Sequence, residues 1–415
     1  MRYATKFRLV VASVAVLAAV SARADTLRET VLRQAALDAG LILAEDTHVD
    51  VPPALVAVGK LLFETKKLSL ERDIACASCH LDRFGSTDGL PNAIGTEGRG
   101  EGVNRLMGGG DIIPRNALPF WGRGSKGFDV FFWDGRVDGR AERMISQFAG
   151  EEPSTDPLVV AVHLPPVELG EMLLNSAGNE TLQRETVESA NQVYSQLEQR
   201  LREDPIIGPA LARAHGVARS ELRFVDMAEA LAGFIRHNFR LKPTRLHEFV
   251  FGSGGLTNDE VEGGLIFYGK GRCAMCHNGA YFTDFLFHAI PFPQAGFGKN
   301  GFGVDYGRYN VTLDVADLYA FRTPPLYNVT KTAPYSHSGA LYDLSDIIRA
   351  HIDPLADAKS IPSDKRQRAE FYKVLKRWSA SPVAGVVLSE TDIDRTVAFL
   401  NTLEYKSDEP VAAEE

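Results

Sequence analysis

Two stretches, Cys76-Ala77-Ser78-Cys79-His80 and Cys273-Ala274-Met275-Cys276-His277, decide what this chain is built around, and together they use all four of its cysteines. Two thiols separated by two residues, with a histidine directly after, form the c-type haem attachment pattern. Each thiol adds across a vinyl group of the porphyrin, and the histidine is delivered to the iron as its proximal ligand. A pair of disulfides, or a zinc site made of two Cys-x-x-Cys pairs, would use the same thiols. Neither gives a reason for a histidine after both pairs in a chain of 415 residues with ten histidines. The sequence therefore predicts two covalently bound haems c, one held by Cys76, Cys79 and His80, the other by Cys273, Cys276 and His277.

His80 and His277 lie 197 positions apart, which assigns the haems to different domains of a duplicated architecture rather than to one compact multihaem motif. The surrounding patterns are helical. Leu55, Val58, Leu61 and Leu62 recur at helical spacing in Pro53 to Glu64, and Thr257-Asn258-Asp259-Glu260 is a capping box opening a helix toward the second motif. Further helices are expected over Thr181 to Arg202, Ser220 to Asn238 and Ser389 to Leu403, while strand signals are sparse. Gly- and Pro-bearing stretches, Gly85 to Gly127 and Phe292 to Tyr309, read as ordered loops that wrap the cofactors. The expected domains are 25–245 around the first haem and 246–415 around the second.

Arg2, Lys6 and Arg8 precede the apolar run Leu9 to Val20, and Ala22-Arg23-Ala24 supplies small residues for cleavage, so residues 1–24 read as a signal peptide. The run is 12 residues, well short of the roughly 20 that span a bilayer. No later segment is apolar for long enough to cross a membrane, so the mature chain from Asp25 is expected in the exported space, the periplasm of a Gram-negative cell. A net charge of −9 argues against nucleic acid as a partner, because phosphate binding needs a basic surface. A small, locally basic electron donor is compatible with it.

The chain resembles the bacterial di-haem cytochrome c peroxidase and MauG superfamily. Besides the two haem motifs, the likeness rests on Arg115-Asn116-Ala117-Leu118-Pro119, Phe132-Trp133-Asp134-Gly135-Arg136, Val167-Glu168-Leu169-Gly170 and Thr332-Ala333-Pro334-Tyr335-Ser336-His337-Ser338-Gly339, in the family's order. The resemblance implies a mainly α fold of two cytochrome-c-like haem domains facing each other, with a calcium ion and a tryptophan between the haems. It also implies one of two activities. Peroxidases of the family reduce hydrogen peroxide with electrons from a small cytochrome c or cupredoxin; MauG-like enzymes use peroxide to oxidise tryptophan or other side chains of a partner protein.

A peroxidatic iron needs one face open, whereas a relay iron is best closed by strong ligands on both faces. In gated family members a distal histidine from the loop after the first haem blocks that iron, but no histidine occurs here from Leu81 to Val162. The haem of His80 is therefore expected to be five-coordinate or water-bound without a priming reduction, with Met107 in the corresponding loop read as packing. The family places the sixth ligand of the second haem fourteen residues after the histidine of the Pro-Tyr-x-His segment, as methionine or tyrosine. Here that position is His351, which the register of Asp343 to Ile352 directs inward with Ile347 and Ile348. Bis-histidine ligation by His277 and His351 should lower the haem's potential relative to methionine ligation and favour storage of oxidising equivalents.

By the same resemblance Glu168 is the carboxylate that moves a proton between the peroxide oxygens. Gln147 is the second distal residue, in a region with extra residues after Arg136, and Glu171, one helical turn on from Glu168, competes for the acid–base role. Trp133 is the bridge between the haems, and Asn116, Thr332 and Pro334 are the calcium positions. Tyr327 stands where the family often has arginine, so contacts to a haem propionate are expected to differ. The reading is a periplasmic di-haem peroxidase, with MauG-like protein oxidation and a non-catalytic electron carrier as the competing functions, and with a homodimer allowed.

Overall fold

Each haem-attachment motif follows a helix that carries a glycine at its crossing point. In the computed structural model, which describes residues 25–174, 180, 182–184, 186–356 and 361–405, the helix Pro53–Glu64 crosses Phe224–Asn238 at Gly59. A Cβ there would lie 2.0 Å from the Ala230 carbonyl oxygen, so only glycine allows the approach. The second motif repeats the device. Asn258–Tyr268, opened by the capping box of Thr257 and Glu260, crosses Glu390–Asn401, and a Cβ at Gly263 would lie 1.8 Å from the Arg395 carbonyl oxygen. Val58, Leu62 and Phe63 in the first pair, and Val261, Phe267 and Phe399 in the second, are buried. At about 1.5–3 kcal/mol for each large side chain, this packing rather than helix propensity holds the pairs.

The predicted signal peptide, residues 1–24, lies outside the described residues. The helix that follows, 25–38, makes contacts in the second haem segment, across the expected 25–245 boundary. Leu32 and Phe399 both abut Gly264, Arg33 lies over the Phe249 ring, and the Ala39 carbonyl accepts from Gly279 N, so its apolar face closes on the second segment. Of the other expected helices, the one from Thr181 begins later. Thr186 caps Val187–Glu203, with its Oγ1 accepting from Ser189 N, after a short 3₁₀ turn at Leu182–Arg184. Lys365–Trp378 had no signal in the sequence reading; it is strongly charged and fully buries only Phe371.

Among the described residues the only strands are two short antiparallel pairs, so the fold is mainly α. Val130–Phe131 pairs with Val137–Asp138, which makes Phe132-Trp133-Asp134-Gly135-Arg136 the tip of a hairpin, with positive φ at Phe132 and Gly135. The second pair, Phe287–His288 with Phe321–Arg322, docks on that tip through Arg322 N to the Trp133 carbonyl at 2.8 Å and Arg322 Nε to the Phe132 carbonyl at 3.1 Å. None of the described helices is long and apolar enough to cross a membrane.

Candidate active site

Two cavities flank the hairpin tip, each lined by one haem-attachment motif, and both are lined by Trp133, Asn116 and Ala117. Trp133 is therefore the partition between them, fixed by its indole Nε1 donating to the Asn116 carbonyl at 3.0 Å. The four cysteines form no disulfide with one another, which leaves the thiols for the vinyl groups.

In the second cavity the rings of His277 and His351 face each other with centroids 6.5 Å apart. An ion bound by both Nε2 atoms, at metal–nitrogen distances of ~2.0–2.1 Å, would separate the ring centres by about 6.4 Å. Each ring is held from behind, His277 Nδ1 by the Phe282 carbonyl at 3.0 Å and His351 Nδ1 by the Ile347 carbonyl at 2.7 Å. Those bonds place the proton on Nδ1 and turn the Nε2 lone pair toward the cavity. His80 is held in the same way by the Ser86 carbonyl at 2.9 Å and is stacked on Phe120. Burial pushes His80 and His277 down to about 4, which keeps both imidazoles neutral and able to ligate.

The first cavity is different in kind. His80 is the sole histidine on its lining and Met172 the sole methionine, while Arg136, Glu168, Glu171 and Lys299 bring charge to it. Met107, read as packing, is instead 80% exposed and lines neither cavity. Glu168 accepts from Arg136 Nη1 at 3.0 Å and from Lys299 Nζ at 3.5 Å. Burial alone would raise its carboxyl, but Arg136 and then Lys299 outweigh it and hold Glu168 ionised. Burial and then the Glu168 charge push Glu171 up to about 7. Two carboxyl groups three residues apart are thus driven in opposite directions.

Arg136 is anchored in turn. Asp134 binds Arg136 and Arg115, and Arg115 grips Asp305 through Nε at 2.7 Å and Nη2 at 2.9 Å. Burial would raise Asp134, but the two guanidinium groups outweigh it and hold its carboxyl far below the usual range. Two other buried arginines have no carboxylate partner among the described residues. Arg322 lines the second cavity with Nη2 unpartnered, and burial pushes it down to about 10; Arg123 lines the first, donating only Nε, to the Pro119 carbonyl. A guanidinium buried in this way is costly unless an anion meets it, and the propionate edge of a haem is such an anion. The cavities therefore fit the haems that the motifs imply.

Gln147, expected beside Glu168, is exposed and lines neither cavity. In the longer turn after Arg136 its neighbour Phe148 takes the inward position, and the place beside Glu168 belongs to Arg136 and Lys299. Asn116, Thr332 and Pro334 all line the second cavity. Asn116 Nδ2 lies 2.5 Å from the Pro334 carbonyl, while Thr332 Oγ1 turns back to Val329. A half-turn of the Asn116 amide would set two oxygens together, the kind of donor set a hard cation takes. Tyr327 is fully buried and donates to the Ala280 carbonyl at 3.1 Å.

The family model described as di-haem cytochrome c peroxidase matches residues 53–253. That match spans 201 of the 415 residues, and the chain is similar to the di-haem cytochrome c peroxidase and MauG superfamily. Within that superfamily it is 26% identical over 407 residues to the methylamine utilization protein MauG of Paracoccus denitrificans, covering 90% of this chain and 95% of that protein. It is 26% identical to cytochrome c551 peroxidase of Pseudomonas aeruginosa over 301 residues, covering 70% and 69% of the two chains. The fold matches that of the diheme peroxidase BthA from Burkholderia thailandensis with a TM-score of 0.61 at 20% identity, over 88% of this chain and 89% of that one. A MauG-like protein associated with microbial copper homeostasis matches equally, with a TM-score of 0.61 at 21% identity over 86% and 92%.

Proposed function

We propose that the protein is a periplasmic di-haem peroxidase that reduces hydrogen peroxide to water at the His80 haem. The electrons come from a small cytochrome c or cupredoxin through the haem of His277 and His351. The observation that carries this is the asymmetry of the cavities: two imidazoles face each other in the second, while the first has one imidazole and a clamped carboxylate. When bound, the haems supply the redox chemistry. The protein's own part is to move protons and separate the sites. Glu168 takes a proton from the inner peroxide oxygen and returns it to the outer one, which departs as water. Trp133 gives electrons a stepping stone through the partition.

Each haem belongs to its own half, 25–245 and 246–415, with helix 25–38 reaching across. Asn116, Thr332 and Pro334 hold a calcium ion at the partition. Residues 1–24 act as the export signal.

The second reading is MauG-like oxidation of a partner protein's side chains. It is favoured by His351, which replaces the family's methionine or tyrosine, and by the similarity to MauG along nearly the whole chain.

A spectroscopic peroxide titration of the diferric holoprotein tests both. The peroxidase reading expects one high-spin haem at the start and rapid peroxide consumption with reduced cytochrome c or cupredoxin. A long-lived oxidised spectrum with slow donor turnover would select the second reading. Two low-spin haems, with Met172 or any other side chain on the first iron and no reaction, would overturn both.

A further inference from the structure

The first cavity receives a side chain that the first half of the chain does not contain. Lys299 comes from the loop between Phe292 and Arg308, in the half that carries the second haem, yet it reaches the lining and meets Glu168. That loop is not slack. Asn300 N donates to the Val304 carbonyl at 3.0 Å, Val304 N to Gly301 at 3.1 Å and Gly303 N to Phe297 at 2.7 Å, with Gly296, Gly298, Gly301 and Gly303 at positive φ. A Cβ at Gly298 would lie 2.3 Å from the Val304 carbonyl oxygen, so the turn closes tightly on itself and fixes where Lys299 leaves it.

The same loop contributes Asp305. Ion pairs run from Asp305 to Arg115, Asp134, Arg136, Glu168 and back to Lys299, so the chain of charges begins and ends on one loop. Four of these six side chains are largely buried; Glu168 keeps 25% and Lys299 29% of its side-chain surface. Ion pairs of low exposure are screened little by salt, and removing one partner shifts the others' protonation.

We propose that Lys299 is a positioning residue of the first haem's reacting side, holding the Glu168 carboxylate in its proton-accepting form and at a fixed place. This rests on the assignment of Glu168 as the proton-transfer group. Around Glu168 stand Arg136, Lys299, Asp134 and Glu171, with Arg115 behind. Arg136 is committed to Asp134 as well, which leaves Lys299 as the cation that answers chiefly to Glu168. Only the proton's resting place is affected. Glu168 gives back the proton it takes, and Lys299 keeps its own.

The test is the pH profile of the peroxide reaction, followed by stopped flow in the holoprotein, for wild type, K299M, K299R and E168Q. Loss of the cation raises the Glu168 carboxyl, so the acid limb of K299M moves to higher pH by about one unit, a roughly tenfold slower reaction on that limb. The plateau at higher pH stays within about twofold, and K299R keeps the wild-type limb. A K299M profile superimposable on wild type, with E168Q slow, would overturn the role of Lys299 and leave that of Glu168. An E168Q protein that reacts like wild type at every pH would instead remove the assignment on which the inference rests. If K299M fails to load haem, K299R decides: a shifted acid limb in the variant that keeps the charge overturns the proposal.

Discussion

Replacing Glu171 by glutamine should make the protein more stable, and only at the alkaline side. Burial and the neighbouring Glu168 charge raise the Glu171 carboxyl from 4.5 to about 7. At 1.36 kcal/mol per pH unit, that displacement corresponds to about 3 kcal/mol. Because the folded state holds the proton more tightly than the unfolded chain, the contribution is present in full below pH 4.5 and is lost as pH rises to about 7. Glutamine keeps the shape and has no proton to lose, so E171Q should match wild type near pH 4 and exceed it by up to about 3 kcal/mol near pH 8. The figure is an upper bound, since part of the group is open to the cavity. Urea unfolding of the two holoproteins across this range is the assay. Parallel stability curves would refute the reasoning, because they would mean that Glu171 ionises as easily folded as unfolded. The same variant separates the two carboxylates functionally. E168Q should slow the peroxide reaction by about 10²–10⁴-fold, as expected for loss of a proton-transfer group, while E171Q should remain within a few-fold of wild type.

Other perturbations probe the remaining parts. H351A should convert the second haem from low to high spin in its ferric absorption and resonance spectra, and an unchanged low-spin signal would disprove the ligand assignment. W133F should leave the initial reaction with peroxide at the first haem within about twofold while slowing electron transfer from the second, measured by stopped flow; equal transfer rates would exclude the indole as the path. Asp305→Asn leaves Arg115 with one carboxylate in a buried setting and should cost about 3–5 kcal/mol in urea unfolding, against less than about 1 kcal/mol if the pair behaves like a surface bridge. G263A should cost more than about 2 kcal/mol, because its methyl group would meet the Arg395 carbonyl head-on.

What could be read in the sequence was what chemistry makes rare or periodic. Four cysteines used up in two identical spacings left little choice of cofactor, and the apolar positions before the first motif and the capping box before the second marked the helices that cross at Gly59 and Gly263. The placement of His351 opposite His277 was legible through the spacing that the family resemblance implies after His337, supported by the helical face it shares with Ile347 and Ile348. Lys299 was not: it sits in a glycine-rich loop without periodicity, 131 positions from the carboxylate it meets. Gln147 was misjudged for a related reason, since added residues in a turn change which side chains face inward, and Phe148 won that place. Helix 25–38 was assigned to its sequence neighbours, whereas the apolar surface that could cover it lay more than 200 positions on.

The reach of the 292–308 loop also sets an order of assembly. During synthesis the segment with His80, Arg136 and Glu168 emerges long before Lys299 and Asp305, and at that stage Arg115 has only one carboxylate to bind. A chain interrupted near residue 245 could carry porphyrin on its first motif yet lack the groups that complete its reacting side. The pairs that Lys299 makes with Glu168 and Asp305 with Arg115 are thereby missing from the nascent or clipped molecule until the final third of the polypeptide has closed over it.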